Sequence, residues 1–285
     1  MYDGLPSRTA QRVALRRAAH QVLDHPRVFE DPLAIAIAGG EPETLGSPEG
    51  LPGSEQPYSR SLRAFIAVRS RYAEDQLAAA VRRGVRQYVV LGAGLDTFAY
   101  RNPFQSAGLQ VFEVDHPATQ EWKRAQLRAA GIAIPAGMTF AAVDFERQSI
   151  EDGLRNAGFE TQQPAVFSWL GVTPYLSRAA FDGTIQFIAA MPSGSCVVFD
   201  YAVERSLLSP PQQLALDALA ARVTRAGEPF RLFFDPAELS RDLERLGFSN
   251  VEDLDGERIN ARYFAGRSDG LAVTGGGHLI TAQVA

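Results

Sequence analysis

Residues 87–94, Gln-Tyr-Val-Val-Leu-Gly-Ala-Gly, constrain this chain more than any other stretch. An apolar run, Tyr88 to Leu91, stops at two glycines one residue apart, Gly92 and Gly94. A short run apolar on both faces reads as a strand buried inside a parallel sheet. Glycines directly after such a strand let the backbone turn sharply and approach a ligand closely. About twenty residues further on, the run Val111-Phe112-Glu113-Val114-Asp115 ends in carboxylates. A glycine loop followed by an acid at that spacing marks a fold that holds an adenosine ribose.

The sequence after this point alternates. Strands are predicted at 87–91, 110–114, 138–143, 165–169 and 195–199. Helices are predicted between them at 117–130, 149–157 and 178–190, with a further helical stretch near 97–104. Such alternation gives parallel strands joined by crossovers, with helices on both faces of the sheet. The pattern breaks at 202–230, where Pro210-Pro211 leads into a helical run over 212–225. A helix over 235–246, a strand at 249–254 and a last strand at 278–284 follow. No helix is expected between the last two strands, so a long hairpin should make the seventh strand antiparallel. Ahead of the first strand, Ser7 or Thr9 caps a helix to about Leu23, and Asp31-Pro32 opens a shorter one. The prediction is one α/β domain over 1–285, a doubly wound, mostly parallel seven-stranded sheet with an antiparallel last strand. Residues 1–58 form a helical lid, and a loop is expected at 39–59. Residues 59–201 and 231–285 form the ligand-binding core, and 202–230 form a helical insertion over the active site.

With 46% hydrophobic residues in 285, the chain can bury a large core. The net charge of −5 provides no basic face for nucleic acid. No run approaches the ~20 apolar residues that span a bilayer, and the first residues lack a signal-peptide core. A cytoplasmic protein with neither nucleic-acid nor membrane partners is expected; the sequence does not indicate an oligomeric state. Cys196 lies in an apolar run and reads as core. His20, His25, His116 and His278 show no metal-ligand spacing, so no metal is expected. No Gly-x-Ser-x-Gly elbow is present. Arg16-Arg17 and Arg82-Arg83 read as ordinary helix surface.

Polar groups collect at the carboxyl ends of the strands, where open α/β sheets bind ligands. They are Gly92 and Gly94, Glu113 and Asp115, Asp144, Ser168 to Tyr175, and Asp200-Tyr201. Asp96, Asp115 and Asp144 also suit helix capping. On the helix predicted over 60–83, Arg69 falls inside the apolar stripe of Leu62, Phe65, Ile66, Tyr72 and Ala73. A guanidinium on a buried face needs an anion. A structural carboxylate and a ligand carboxylate satisfy that need equally well. A nicotinamide dinucleotide would call for a third glycine at position 97, which is Thr97.

Val90-Leu91-Gly92-Ala93-Gly94-Leu95-Asp96-Thr97 and Phe112-Glu113-Val114-Asp115-His116-Pro117 resemble the leucine carboxyl methyltransferase family, especially its bacterial branch, abundant in actinobacteria. Pro6-Ser7-Arg8-Thr9-Ala10, Asp31-Pro32-Leu33-Ala34, Arg69-Ser70-Arg71-Tyr72 and Trp169-Leu170-Gly171-Val172-Thr173-Pro174-Tyr175-Leu176 carry the likeness further. It implies S-adenosylmethionine as cofactor and transfer of its methyl group; the expected acceptor is an oxygen of a small molecule, with a carboxylate as one candidate. Arg69 would pair with the cofactor's methionine carboxylate, and Gly92, Ala93 and Gly94 would pack against its methionine part. Asp115 would accept both ribose hydroxyls, supported by Glu113. Asp144 and Phe145 would face the adenine. Where the family often has glutamate before the glycine after the fourth strand, this chain has Leu170. Trp169, Tyr175 and Tyr201 are acceptor-pocket candidates, and no catalytic base is assigned. The alternatives are a nicotinamide-dependent oxidoreductase and a catalytically silent cofactor-binding regulator.

Overall fold

Seven strands pair in the order β3-β2-β1-β4-β5-β7-β6 in a computed structural model that describes residues 7–40 and 55–285. They are β1 Gln87–Leu91, β2 Gln110–Asp115, β3 Met138–Ala142, β4 Ala165–Trp169, β5 Cys196–Ala202, β6 Phe248–Leu254 and β7 Gly277–Val284. Six run the same way, and β7 runs antiparallel to both its neighbours, β5 and β6. Most of the loop expected at 39–59 lies outside the described residues. Its last three residues already belong to a helix.

The helices are α1 Arg8–Leu23, α2 Ala34–Ile37, α3 Pro57–Arg82, α4 Pro117–Ala129, α5 Ile150–Asn156, α6 Arg178–Ala189, α7 Pro210–Arg225, α8 Pro236–Arg245 and α9 Gly256–Tyr263. Their starts follow local chemistry. Ser7, Ser149, Ser177 and Asp235 accept first-turn N–H groups, and Pro stands in the first turn of α3, α4, α7 and α8. His116, through Nδ1, caps α4, so Asp115 is left for other partners. The stretch at 97–104 forms only short 3₁₀ turns, begun by Asp96, whose carboxylate accepts from the Phe98 N–H.

The helix α9 corrects the expectation of a bare connection between β6 and β7. Asp255 accepts from the Arg258 N–H, and Ile259 is buried beside Leu271 and Val273. Its glycine start and charged exposed face (Glu257, Arg258, Arg262) hide a single turn-and-a-half of apolar signal.

Along β1 the side chains alternate between two cores. Val89 and Leu91 pack with Phe167, Phe199 and Ile280, while Tyr88 and Val90 pack with Leu77, Val81 and Phe98 under α3. Cys196 belongs to the second core, and burial pushes its thiol up to about 12.

A buried ion pair fastens α1 to α3. Arg63 donates two parallel bonds to Asp24, at 2.7 and 2.8 Å. Helical spacing puts Arg63 mostly off the apolar stripe of the helix predicted over 60–83, yet its side chain is 2% exposed. His20 Nε2 accepts from Val28 and Phe29, which leaves its ring proton on Nδ1, facing Asp24 at 2.8 Å. Burial alone would raise the Asp24 carboxyl, but Arg63 and His20 outweigh it and hold it at about 2. Because the folded value lies below the unfolded one, this contribution is complete above the ordinary carboxyl pKa. It is lost as pH falls from about 4 towards 2. Asp24→Asn should remove roughly 2–3 kcal/mol of stability at neutral pH, at ~1.4 kcal/mol per unit. It should also flatten the acid limb of a urea-stability profile between those values. A profile as steep as that of the unsubstituted protein would contradict this.

Candidate active site

Strand order reverses between β1 and β4, and a cavity of about 390 Å³ opens beyond their carboxyl ends. Small-molecule sites span roughly 300–1,000 Å³. Gly92 and Gly94 form one wall, at φ +65° and +46°. A Cβ on Gly92 would stand 2.3 Å from Val172 Cγ2, and one on Gly94 would stand 3.2 Å from Ala10. The glycines therefore let this loop close against the segment after β4 and against α1. Ala93 lines the same wall.

The Gly94 N–H donates to Asp115 Oδ2 at 2.6 Å, and the His116 N–H to Oδ1 at 2.7 Å. These bonds fix the carboxylate at the cavity edge with a lone pair on each oxygen remaining. Burial raises its pKa, and the two backbone donors oppose that. Asp144, Phe145 and Leu170 also line this cavity. Asp144 Oδ1 accepts from the Glu146 N–H and so stabilises its own turn.

Glu113 does not line the cavity. It is fully buried beneath it, ion-paired with Lys123 at 2.6 Å, and accepts from the Tyr100 hydroxyl. Burial raises its carboxyl, Lys123 opposes, and the balance stands at about 7. The strand pleat puts Glu113 and Asp115 on the same face of β2, but only the last residue reaches the opening.

The loop after β1 is locked to the N-terminal helices. Arg17 is buried, pairs with Asp31 at 2.7 Å and donates to the Leu95 carbonyl at 2.5 Å. Thr97, in the third-glycine position, donates to Asp31 at 2.7 Å. Arg17 is therefore not ordinary helix surface. It follows Ala14 by three residues and precedes Ala18 and Gln21 by one and four, and all four are buried. The exposed Arg82-Arg83 pair matches its reading.

Arg69 is buried and donates to Asp200 Oδ2 at 3.0 Å. Asp200 Oδ1 accepts from the Gly171 N–H at 2.5 Å. Gly171, at φ +73°, leaves room for the guanidinium, since a Cβ there would lie 2.6 Å from Arg69 Nη2. The structural partner is thus present, and the guanidinium still borders the cavity.

A second cavity, about 170 Å³, adjoins the first and shares Thr9, Val13, Arg69, Gly171 and Tyr175 with it. Helices α1, α3 and α7 and the glycine run before β7 wall it. Tyr175 stands at the junction, its ring 5.2 Å from that of Phe230. Tyr201 lines the second cavity, but its hydroxyl is taken by Asp253 at 2.8 Å and His278 at 3.2 Å. Trp169 lines neither cavity. It is fully buried in the core, stacked on Phe181 at 5.5 Å, because it is the last in-sheet residue of β4. Among the described residues no cluster of side chains suited to a metal is present.

A doubly wound sheet with β7 inserted antiparallel between β5 and β6, a glycine turn after β1 and a buried acid ending β2 define a Rossmann-like methyltransferase of class I. Residues 10–189 match the family model described as leucine carboxyl methyltransferase, and the chain belongs to that family. A Bacillus subtilis protein named "Putative S-adenosyl-L-methionine-dependent methyltransferase YktD" is 36% identical over 75% of this chain and 70% of its own. A Mycolicibacterium paratuberculosis protein named "Putative S-adenosyl-L-methionine-dependent methyltransferase" is 31% identical over 91% and 81%. The fold is shared with a solved "putative methyltransferase" of Thermobifida fusca (TM-score 0.60, 19% identity, 99% and 96% covered). A DUF574 family protein of Streptomyces avermitilis also shares it (TM-score 0.62, 15% identity, both chains fully covered). The chain is an S-adenosylmethionine-dependent methyltransferase. Membership of this family decides against the nicotinamide and silent-regulator readings. No helix among the described residues is long and apolar enough to cross a membrane.

Proposed function

We propose that this methyltransferase modifies an oxygen of a small-molecule acceptor, and that the oxygen belongs to a carboxylate. The observation that carries this reading is the junction of the two cavities at Arg69, Gly171 and Tyr175, where the described residues bring no histidine and no carboxylate without a partner. Among the described residues no histidine lines the second cavity, and the Tyr201 hydroxyl is already bonded. A hydroxyl acceptor needs a base within hydrogen-bond reach. A carboxylate, with an ordinary pKa of about 4, is ionised at neutral pH and needs none.

The first cavity suits the cofactor's parts in turn. Arg69 would hold the methionine carboxylate, the loop at Gly92, Ala93 and Gly94 would lie along the methionine chain, and Asp115 would accept the ribose hydroxyls. Asp144 and Phe145 would face the adenine, and Glu113 would act one layer below by holding the end of β2. Bound S-adenosylmethionine supplies an electrophilic methyl group, whose bond to sulfur breaks as the bond to the acceptor oxygen forms, the sulfur keeping the electron pair. The chain itself contributes alignment and a dry apolar wall, a source worth up to roughly 7–11 kcal/mol when geometry is ideal. In this reading α1 and the 202–230 insertion cover the site and select the acceptor.

The test uses cofactor labelled in its methyl group and a panel of carboxylic acids, phenols and alcohols, with a peptide ending in leucine. A carboxylate product is an ester and should release volatile methanol in mild alkali. Label that stays bound through alkali would exclude the carboxylate. Label found only on the peptide would exclude a small-molecule acceptor.

A further inference from the structure

The second cavity has one end at the cofactor and another about 16 Å away along α3. Arg69 and Tyr58 mark these ends, eleven residues apart at ~1.5 Å each. On α1, Thr9, Arg12, Val13 and Arg16 follow the i, i+3, i+4, i+7 spacing of one helical face, and all four line the cavity. Thr9 is at the cofactor end with Tyr175. Arg16 comes two turns later. Facing it, α7 brings in Arg222, whose guanidinium lies 5.5 Å from the centre of the Tyr58 ring. The middle of the cavity is apolar, with Leu62, Phe65 and Leu219.

The far end is built as a donor set. Among the described residues neither Arg16 nor Arg222 has a carboxylate partner; Arg16 reaches only the Arg12 carbonyl, at 3.4 Å. The Tyr58 hydroxyl is buried and has no hydrogen-bond partner among them. Buried polar atoms without a partner are uncommon in folded proteins and call for an explanation. Burial presses the Arg16 guanidinium's pKa down, and Arg222 and Arg12 press the same way. Two half-buried guanidinium groups facing one pocket repel one another until an anion joins them.

We propose that the acceptor carries a second anionic group, remote from the oxygen that is methylated, and that Arg16 and Arg222 receive it, with Tyr58 as a further donor. An α,ω-dicarboxylate of medium chain length is the simplest such molecule. One carboxylate lies at the cofactor, the chain lies on the apolar middle, and the other carboxylate lies between the two arginines. This assignment rests on the carboxylate reading of the same site. Arg16 and Arg222 are then residues that position and select the acceptor, with no part in cofactor binding.

The test compares decanedioate with decanoate, for the unsubstituted protein and for the double variant R16Q/R222Q. Calorimetry on the protein saturated with S-adenosylhomocysteine reads binding, and methyl transfer reads KM and kcat. The unsubstituted protein should bind the diacid at least ~10-fold more tightly than the monoacid, the scale of one charged hydrogen-bonded contact. In the double variant the KM for the diacid should rise roughly ten- to hundredfold with kcat little changed, and the preference should vanish. Affinity for S-adenosylhomocysteine should stay the same, which also reports that the variant is folded. Equal affinity for the two acids, or a preference that survives in the variant, overturns the inference and leaves the carboxylate reading standing. If the unsubstituted protein methylates neither these acids nor any other carboxylate, both fail together.

Discussion

Arg69→Ala should lower affinity for S-adenosylhomocysteine at least ~100-fold in calorimetry, the size of a lost charge-assisted pair in a buried site. The residue is 7% exposed, its guanidinium lies against Gly171, and it borders both cavities. The same change strands Asp200, which would keep only the Gly171 N–H. Breaking one side of a buried ion pair costs about 3–5 kcal/mol of stability. The two effects can be separated. In R69A/D200N the buried charge is gone, so stability should recover much of that loss while cofactor affinity stays low. If affinity recovers along with stability, the guanidinium acts only as a partner for Asp200.

Asp115→Ala should be comparably severe. Its carboxylate is the one acid that the structure places at the cavity from the end of β2, and Gly94 and His116 hold it there. Two hydrogen bonds to ribose hydroxyls from an ionised acceptor are worth about 1.5–3 kcal/mol each. The expected fall in cofactor affinity is therefore ~100-fold or more. The Gly94 N–H would also lose its acceptor, which loosens the glycine turn. A cofactor analogue lacking both ribose hydroxyls separates these contributions. It should bind the unsubstituted protein weakly and lose little more in the variant. A full further loss with that analogue would mean that Asp115 supports the loop and not the ribose.

The sheet was legible because its signals are local. Tyr88 to Leu91 and Ala165 to Trp169 are fully buried strands whose composition announces them, and Gly92 and Gly94 mark the turn. The antiparallel β7 followed from the long connection after β6, although that connection contains α9. The cationic end of the second cavity was not legible. Arg16 and Arg222 sit about two hundred residues apart in sequence, and each alone looks like a solvated helix residue. Arg17 and Arg63 failed for a related reason. Their partners, Asp31 and Asp24, lie on other segments, so only tertiary packing separates them from surface arginines. Tyr201 lines the second cavity, with its hydroxyl committed to Asp253, whereas Trp169 packs in the core, because position at a strand end does not say which face a ring occupies. The Arg69–Asp200 pair was half legible, since a guanidinium on an apolar face demands an anion but does not name it.

We propose that Arg69 anchors the methionine carboxylate and so directs the methyl group towards the second cavity. The most direct measurement is a four-way calorimetric cycle: unsubstituted protein and R69A/D200N, each titrated with S-adenosylhomocysteine and with its decarboxylated analogue. If the guanidinium meets that carboxylate, the analogue should bind the unsubstituted protein at least ~100-fold more weakly, and the variant should bind both ligands equally. If the variant loses the same factor for both ligands, the carboxylate is held elsewhere and the account is wrong.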